Sequence, residues 1–197
     1  LARKGAQVVL AVRNTSKGES SAHRIRSAIP GALVEVRELD LSSLESVRAF
    51  AAGLLAQSPT LDLLVNNAGI MMTPQSRTAD GYELQLGTNH LGHFALTGLL
   101  LPRVADRVVT LSSGAHRLGR INVDDLNWSK RRYQRWLAYG QSKVAELRFA
   151  DEPDRHLRAG QPRVRAIAQQ PGAARPGGGF QRGGTPGCVR AAAASAA

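Results

Sequence analysis

Apolar and polar positions alternate between two periods along this chain. Ala6 to Val12 is a short apolar run set off by Gly5, as expected of a strand that follows the end of a helix. Thr15 to Ile29 has helical period and closes at Pro30-Gly31. Residues 33–41, "LVEVRELDL", alternate as a strand, and Ser42 with Glu45 forms a capping-box pattern ahead of a helix reaching Gln57. The run "LDLLVNNAG" (61–69) is nearly continuous in apolar residues, the mark of a strand covered on both faces. The pattern then predicts a long helix from Asp80 to Leu101, stopped by Pro102, and a buried strand over 106–113. A helix carries "YGQSK" (139–143), and a last strand covers 163–172.

Five alternations of strand and helix, with helices long enough for crossovers, predict an α/β fold with a doubly wound parallel sheet. The domain spans residues 1–172. The tail, 173–197, is rich in Gly, Ala and Pro, has no acid, and has only Phe180 and Val189 as bulky apolar residues. It buries too little surface to offset ordering entropy, so disorder is expected there.

The bulk numbers add less. At 197 residues and 43% hydrophobic content the chain is long enough for one domain with a core. Its +11 charge suggests a polyanion or a phosphate-bearing ligand, but the arginines are spread along the chain and do not cluster. The single cysteine, Cys188, excludes an internal disulfide and gives no metal set. No apolar run reaches membrane-spanning length and no secretory signal opens the chain, so a cytoplasmic protein without a membrane span is the default reading.

In an open parallel sheet, ligands collect outside the carboxyl ends of the strands. Those ends carry Arg13-Asn14, Asp40, Asn66-Asn67-Ala68-Gly69, Ser112-Ser113 and Pro171-Gly172. Tyr139 and Lys143, spaced i, i+4, share a helix face. A lysine ammonium near a phenol favours the phenolate, and a nearby serine hydroxyl would hold a substrate oxygen while the tyrosine moves a proton. No acid follows the first strand to accept from a ribose 2′-hydroxyl. Arg13 stands there instead, suited to a 2′-phosphate, with Lys17 to assist, so NADP(H) is favoured over NAD(H).

In order, "GAQVVLAVRN", "LDL", "NNAG", "TNHLGHF", "LSS", "YGQSK" and "QQPG" resemble the short-chain dehydrogenase/reductase family over residues 1–172. The resemblance is nearest its retinol-dehydrogenase-like and protochlorophyllide-reductase-like branch, and it implies a Rossmann-like fold. It implies Tyr139 as catalytic acid/base, Lys143 as the residue that binds the nicotinamide ribose and tunes the tyrosine, Ser113 as substrate orienter in preference to Ser112, and Asn89 as holder of a relay water. Asp40 and Leu41 would contact adenine, Asn67, Ala68 and Gly69 would line the cofactor, and Pro171 and Gly172 would lie against the nicotinamide. The function implied is NADP-dependent interconversion of an alcohol and a carbonyl on a small or lipophilic substrate.

The chain departs from the family in three places. The family's first strand and T-G-x-x-x-G-x-G turn are expected before Leu1, where the sequence begins, which predicts two open strand edges mid-sheet. Pro153 interrupts the catalytic helix, and no candidate exists for the last strand. An inactive fragment therefore stays open as a reading. So does a basic nucleic-acid-binding module, through Lys130 to Arg132 with Tyr133 and Trp136, although no nucleic-acid partner is expected. His90 and His93 lack a third ligand, so no metal is expected.

Overall fold

Gly5, at φ 77°, ends a short 3-10 turn (Ala2–Lys4) in the left-handed region that glycine tolerates, and releases the chain into strand β1 (Gln7–Val12). The computed structural model describes residues 1–58, 60–156, 163–169 and 190–195. Helix α1 (Thr15–Ala28) starts where the Asn14 side chain accepts from the Lys17 amide at 3.0 Å. Strand β2 (Val34–Glu38) and helix α2 (Leu44–Gln57) follow. The cap of α2 is Ser43, not the expected Ser42. Ser43 is extended and accepts from the Ser46 amide, while the Ser42 hydroxyl donates to Asp40 at 2.6 Å.

Strand β3 (Leu61–Asn66) leads to α3 (Leu84–Leu86), a π-helical turn (Gly87–Leu91) and α4 (Gly92–Leu100). The helix predicted from Asp80 begins four residues later, because the buried Glu83 carboxylate accepts from the amides of Gln85 and Leu86 and caps it there. Strand β4 (Val104–Ser113), helix α5 (Arg135–His156) and strand β5 (Arg163–Gln169) continue the alternation. Helix α5 extends past Pro153 to His156, so the loss of one backbone donor does not end it.

All strands are parallel, in the order β2-β1-β6-β3-β4-β5. The doubly wound fold is thus borne out. Val12 and Val36 face α1, where a Cβ on Gly18 would come within 2.7 Å of both side chains. The alternate residues Val9 and Ala11 face the opposite layer and join Val47, Leu54, Leu96 and Leu100 in the core. Full burial of each such leucine contributes roughly 1.5–3 kcal/mol.

The part of the tail that is described is ordered, against the expectation. Arg190–Ser195 forms strand β6, inserted between β1 and β3, with Val12 opposite Ser195 and Asn66 opposite Ala194. The physical reason lies in the neighbours: β1 and β3 would otherwise present unpaired backbone groups in the middle of the sheet. The two open edges expected there are closed. Among the described residues no strand pairs beyond β5, and Pro171, Gly172 and the rest of the tail lie outside the described residues.

Candidate active site

Helix α5 presents Tyr139 and Lys143 on one face, both buried, with the lysine Nζ 5.6 Å from the tyrosine ring centre. The ammonium donates to the Leu111 carbonyl at 3.2 Å and pairs with Glu146 at 2.9 Å. At the end of β4 the two serines divide by strand alternation. Ser112 is buried and donates to the Lys143 carbonyl at 2.9 Å, which ties β4 to α5. Ser113 is half-buried, and its Oγ accepts from the Ala115 amide at 3.3 Å. Only Ser113 keeps its hydroxyl uncommitted to the helix.

Asn89 sits in the π-helical turn, a local widening that often accompanies functional positions. Its Oδ1 accepts from the Ile70 amide at 2.8 Å, and its Nδ2 donates to the Ile70 carbonyl and to Ser142 Oγ, both at 2.9 Å. Ser142 in turn donates to the Tyr139 carbonyl at 2.7 Å. The Asn89 carbonyl accepts from His93 Nδ1 at 2.7 Å. The asparagine side chain thus ties the loop after β3 to α5 through both amide hydrogens and one lone pair of Oδ1. A relay water would depend on the second lone pair of its carbonyl. Sequence reading missed Ser142, although its place beside Lys143 on α5 was a usable signal.

Gly69 leaves space between these groups. A Cβ there would lie 3.4 Å from Asn89 Oδ1 and 3.5 Å from Lys143 Nζ. Farther along the same sheet edge, Arg13 and Asn67 are exposed at the ends of β1 and β3, and Ala68 is buried. Asp40 is half-buried with Oδ1 accepting from the Ser42 amide and hydroxyl. Leu41 packs so closely on α4 that a Cβ on Gly92 would meet its carbonyl at 2.4 Å. The edge thus brings together an exposed Arg13, Gly69 close to Asn89 and Lys143, and the buried Tyr139–Lys143 pair. Between β1 and β3, however, β6 ends at Ser195, and no glycine-rich turn follows β1 or β3 among the described residues.

A model of the short chain dehydrogenase family matches residues 1–177. The chain belongs to the short-chain dehydrogenase family. It is 45% identical over 179 residues to human "Retinol dehydrogenase 13", covering 89% of this chain and 54% of that protein. It is 49% identical over 176 residues to mouse "Retinol dehydrogenase 12", covering 87% of this chain and 55% of that protein. These similarities identify the retinol-dehydrogenase-like branch of this oxidoreductase family. The chain spans about half the length of the curated relatives it matches. Among solved structures, an uncharacterised protein from Mycobacterium paratuberculosis shares 57% identity at a TM-score of 0.78, covering 88% of this chain and 62% of that one. A metagenomic short-chain oxidoreductase in complex with NADP shares the fold at a TM-score of 0.63 and 24% identity, covering 87% of this chain and 73% of that one.

In this family member the turn after β4 rests directly on α5. A Cβ on Gly119 would come within 2.1 Å of the Gly140 backbone, next to Tyr139. Gly119→Ala should therefore push the turn off α5 and cost several kcal/mol through a backbone clash that no rotamer relieves. Urea unfolding of the variant tests this, and a stability equal to that of the parent would show that the two segments separate freely.

In the basic run Lys130 and Arg132 are exposed, while Arg131 and Tyr133 are engaged within the fold. Arg131 stacks over Trp128 at 3.6 Å and pairs with Asp125 at 3.4 Å, while the Tyr133 hydroxyl donates to Glu83 at 3.0 Å. An apolar groove of about 480 Å³ lies between α4 and α5, lined in part by His90, Phe94 and Phe149, and neither Tyr139 nor Lys143 lines it. No helix among the described residues is long and apolar enough to cross a membrane.

Burial pushes His90 and His93 down from 6.5 to about 4, and pushes Glu146 up from 4.5 to about 7 despite the attraction of Lys143. The folded chain thus binds fewer imidazole protons and more carboxyl protons than the unfolded one. The histidine terms are lost as pH falls from 6.5 to 4, while the Glu146 term is lost as pH rises from 4.5 through 7. Between 4.5 and 6.5 the unfolded chain holds two extra imidazolium protons against one extra carboxyl proton in the folded chain. A net of one proton makes these groups lower stability by roughly 3 kcal/mol from pH 6.5 to 4.5. Above 6.5 the sign reverses, because Glu146 alone still titrates. Urea midpoints at several pH values should peak near 6.5, and a profile flat across this window would contradict the assignment.

Proposed function

We propose that this chain carries the catalytic part of an NADP(H)-dependent oxidoreductase that interconverts an alcohol and a carbonyl on a small or lipophilic substrate. The observation that carries this reading is the buried Tyr139–Lys143 pair on α5, 5.6 Å from ammonium to ring centre, opposite the gap that Gly69 leaves. Arg13 and Lys17 would hold a 2′-phosphate, Asp40 and Leu41 the adenine, and Asn67, Ala68 and Gly69 the middle of the cofactor. Lys143 would hold the nicotinamide ribose, and Pro171 and Gly172 would flank the nicotinamide.

Bound NADPH would supply the hydride for reduction. Ser113 donates a hydrogen bond to the substrate oxygen and holds it beside Tyr139. The Tyr139 hydroxyl gives its proton to that oxygen as charge develops on it, and takes one back in the oxidative direction. Lys143, held by Leu111 and Glu146, stabilises the phenolate left behind. Asn89 keeps the loop after β3 against α5, so that Gly69 stays clear of the lysine.

Similarity to retinol dehydrogenases supports an apolar substrate, and a cytoplasmic, membrane-free setting is part of this reading. Incubation with NADPH and an apolar aldehyde, followed by loss of NADPH absorbance, tests it. Arg13→Glu should reverse cofactor preference, because the new acid repels a 2′-phosphate and accepts from a free 2′-hydroxyl. An unchanged ratio of kcat/KM for NADPH and NADH would place phosphate recognition elsewhere.

A second reading, in which the site residues persist without a working pyrophosphate cradle, draws on β6. That strand fills the middle of the sheet between β1 and β3, the place where the resemblance expects the strand that precedes the glycine-rich turn. Calorimetry with NADPH separates the two, since the second reading requires weak, unsaturable binding.

A further inference from the structure

Glu146 enters the chemistry above only by holding Lys143, yet it is fully buried on α5 three residues beyond that lysine. Its Oε2 lies 2.9 Å from the lysine Nζ. Its Oε1 lies 4.0 Å from His93 Nδ1 and has no hydrogen-bond partner among the described residues. A buried carboxylate with so few donors is costly to keep ionised. A helix position three residues from the lysine and facing the sheet accepts alanine or leucine at no such cost. The arrangement therefore calls for a role through Lys143.

The ammonium donates to the Leu111 carbonyl at 3.2 Å and is paired by charge with Glu146 at 2.9 Å, while a Cβ on Gly69 would lie 3.5 Å from it on another side. We propose that Glu146 is a positioning residue: it anchors the Lys143 ammonium from the interior side and, by gaining or losing one proton, switches the buried pair between net positive and neutral. With the acid protonated, an uncompensated positive charge faces Tyr139 and the gap. With the acid ionised, that charge is balanced from behind.

The groups around Glu146 leave Lys143 as its main counter-charge. His93 from α4 donates to the Asn89 carbonyl and, like His90 in the π-helical turn, is neutral near pH 7. On the other elements packed against α5, His116 is held on the Ser113 carbonyl, Arg165 of β5 is exposed, Glu83 is committed to the cap of α3, and Asp106 and Arg107 of β4 pair with each other. Burial outweighs the pull of Lys143 and brings the carboxyl to about 7, so the switch operates across neutral pH.

The proposal rests on the functional reading for the meaning of Lys143, but its test needs neither cofactor nor turnover. Carbon-13 glutamate and nitrogen-15 lysine side-chain NMR on the whole chain would follow both groups through pH 5 to 9. Glu146 is expected to titrate near neutrality, and the Lys143 ammonium signal, assigned with Lys143→Met, should shift with the same midpoint. In Glu146→Gln that inflection should vanish from the lysine signal. In Lys143→Met the Glu146 midpoint should rise by at least one pH unit, which keeps the test open if the glutamine variant does not fold. A lysine signal indifferent to the Glu146 midpoint, or a Glu146 midpoint in the ordinary carboxylate range, overturns the proposal. Failure to reduce any carbonyl would overturn the functional reading and leave this coupling intact.

Discussion

Tyr139→Phe is expected to lower carbonyl reduction by about 10²- to 10⁴-fold, the range that a positioned general acid contributes, while NADPH binding changes only a few-fold. The ring is buried against α5 and the lysine lies over it, so phenylalanine keeps the packing. The helix also keeps its backbone tie, because Ser142 bonds the Tyr139 carbonyl and not the hydroxyl. The hydroxyl alone is removed, and with it the proton that the substrate oxygen needs. Steady-state kinetics beside a binding titration reads both quantities. Retained turnover would exclude Tyr139 as the acid/base.

The largest effect on stability is expected from Ala193→Pro in β6. Ala193 stands opposite Leu10 on one side and Val65 on the other, at the centre of the six-stranded sheet. Proline has no amide donor and is excluded from central strands. The substitution should therefore cost at least ~3 kcal/mol and reopen the backbone edges of β1 and β3. Amide exchange at Leu10 and Val65 together with urea unfolding measures this. Unchanged protection at both positions would mean that β6 does not hold the middle of the sheet. The same measurement bears on the pyrophosphate region, because β6 ends at Ser195 beside Val12, just before Arg13.

Much of the architecture was legible because it is written in local periodicity. The apolar runs at Val8 to Val12, Leu61 to Val65 and Val108 to Leu111 mark strands covered on two faces, and each became a parallel strand of the sheet. The spacing of Tyr139 and Lys143 requires them to share a face once that segment is helical, whatever surrounds it. Caps were less legible. Ser42 and Ser43 are equally good capping residues, and the choice of Ser43 followed from the engagement of Ser42 with Asp40.

Partnership across long sequence separation was decided by the tertiary structure alone. An alanine run in a Gly/Pro-rich tail has no strand pattern of its own, and β6 exists because two backbone edges, far earlier in the chain, lacked donors and acceptors. Ser112 and Ser113 are chemically alike in sequence, and only the approach of α5 to β4 committed the first to the Lys143 carbonyl. Glu146 reads as one more polar helix position until the sheet buries it against Lys143 and His93. Periodicity tells a residue which way it faces, whereas its charge state and its partner depend on what the rest of the chain brings to that face.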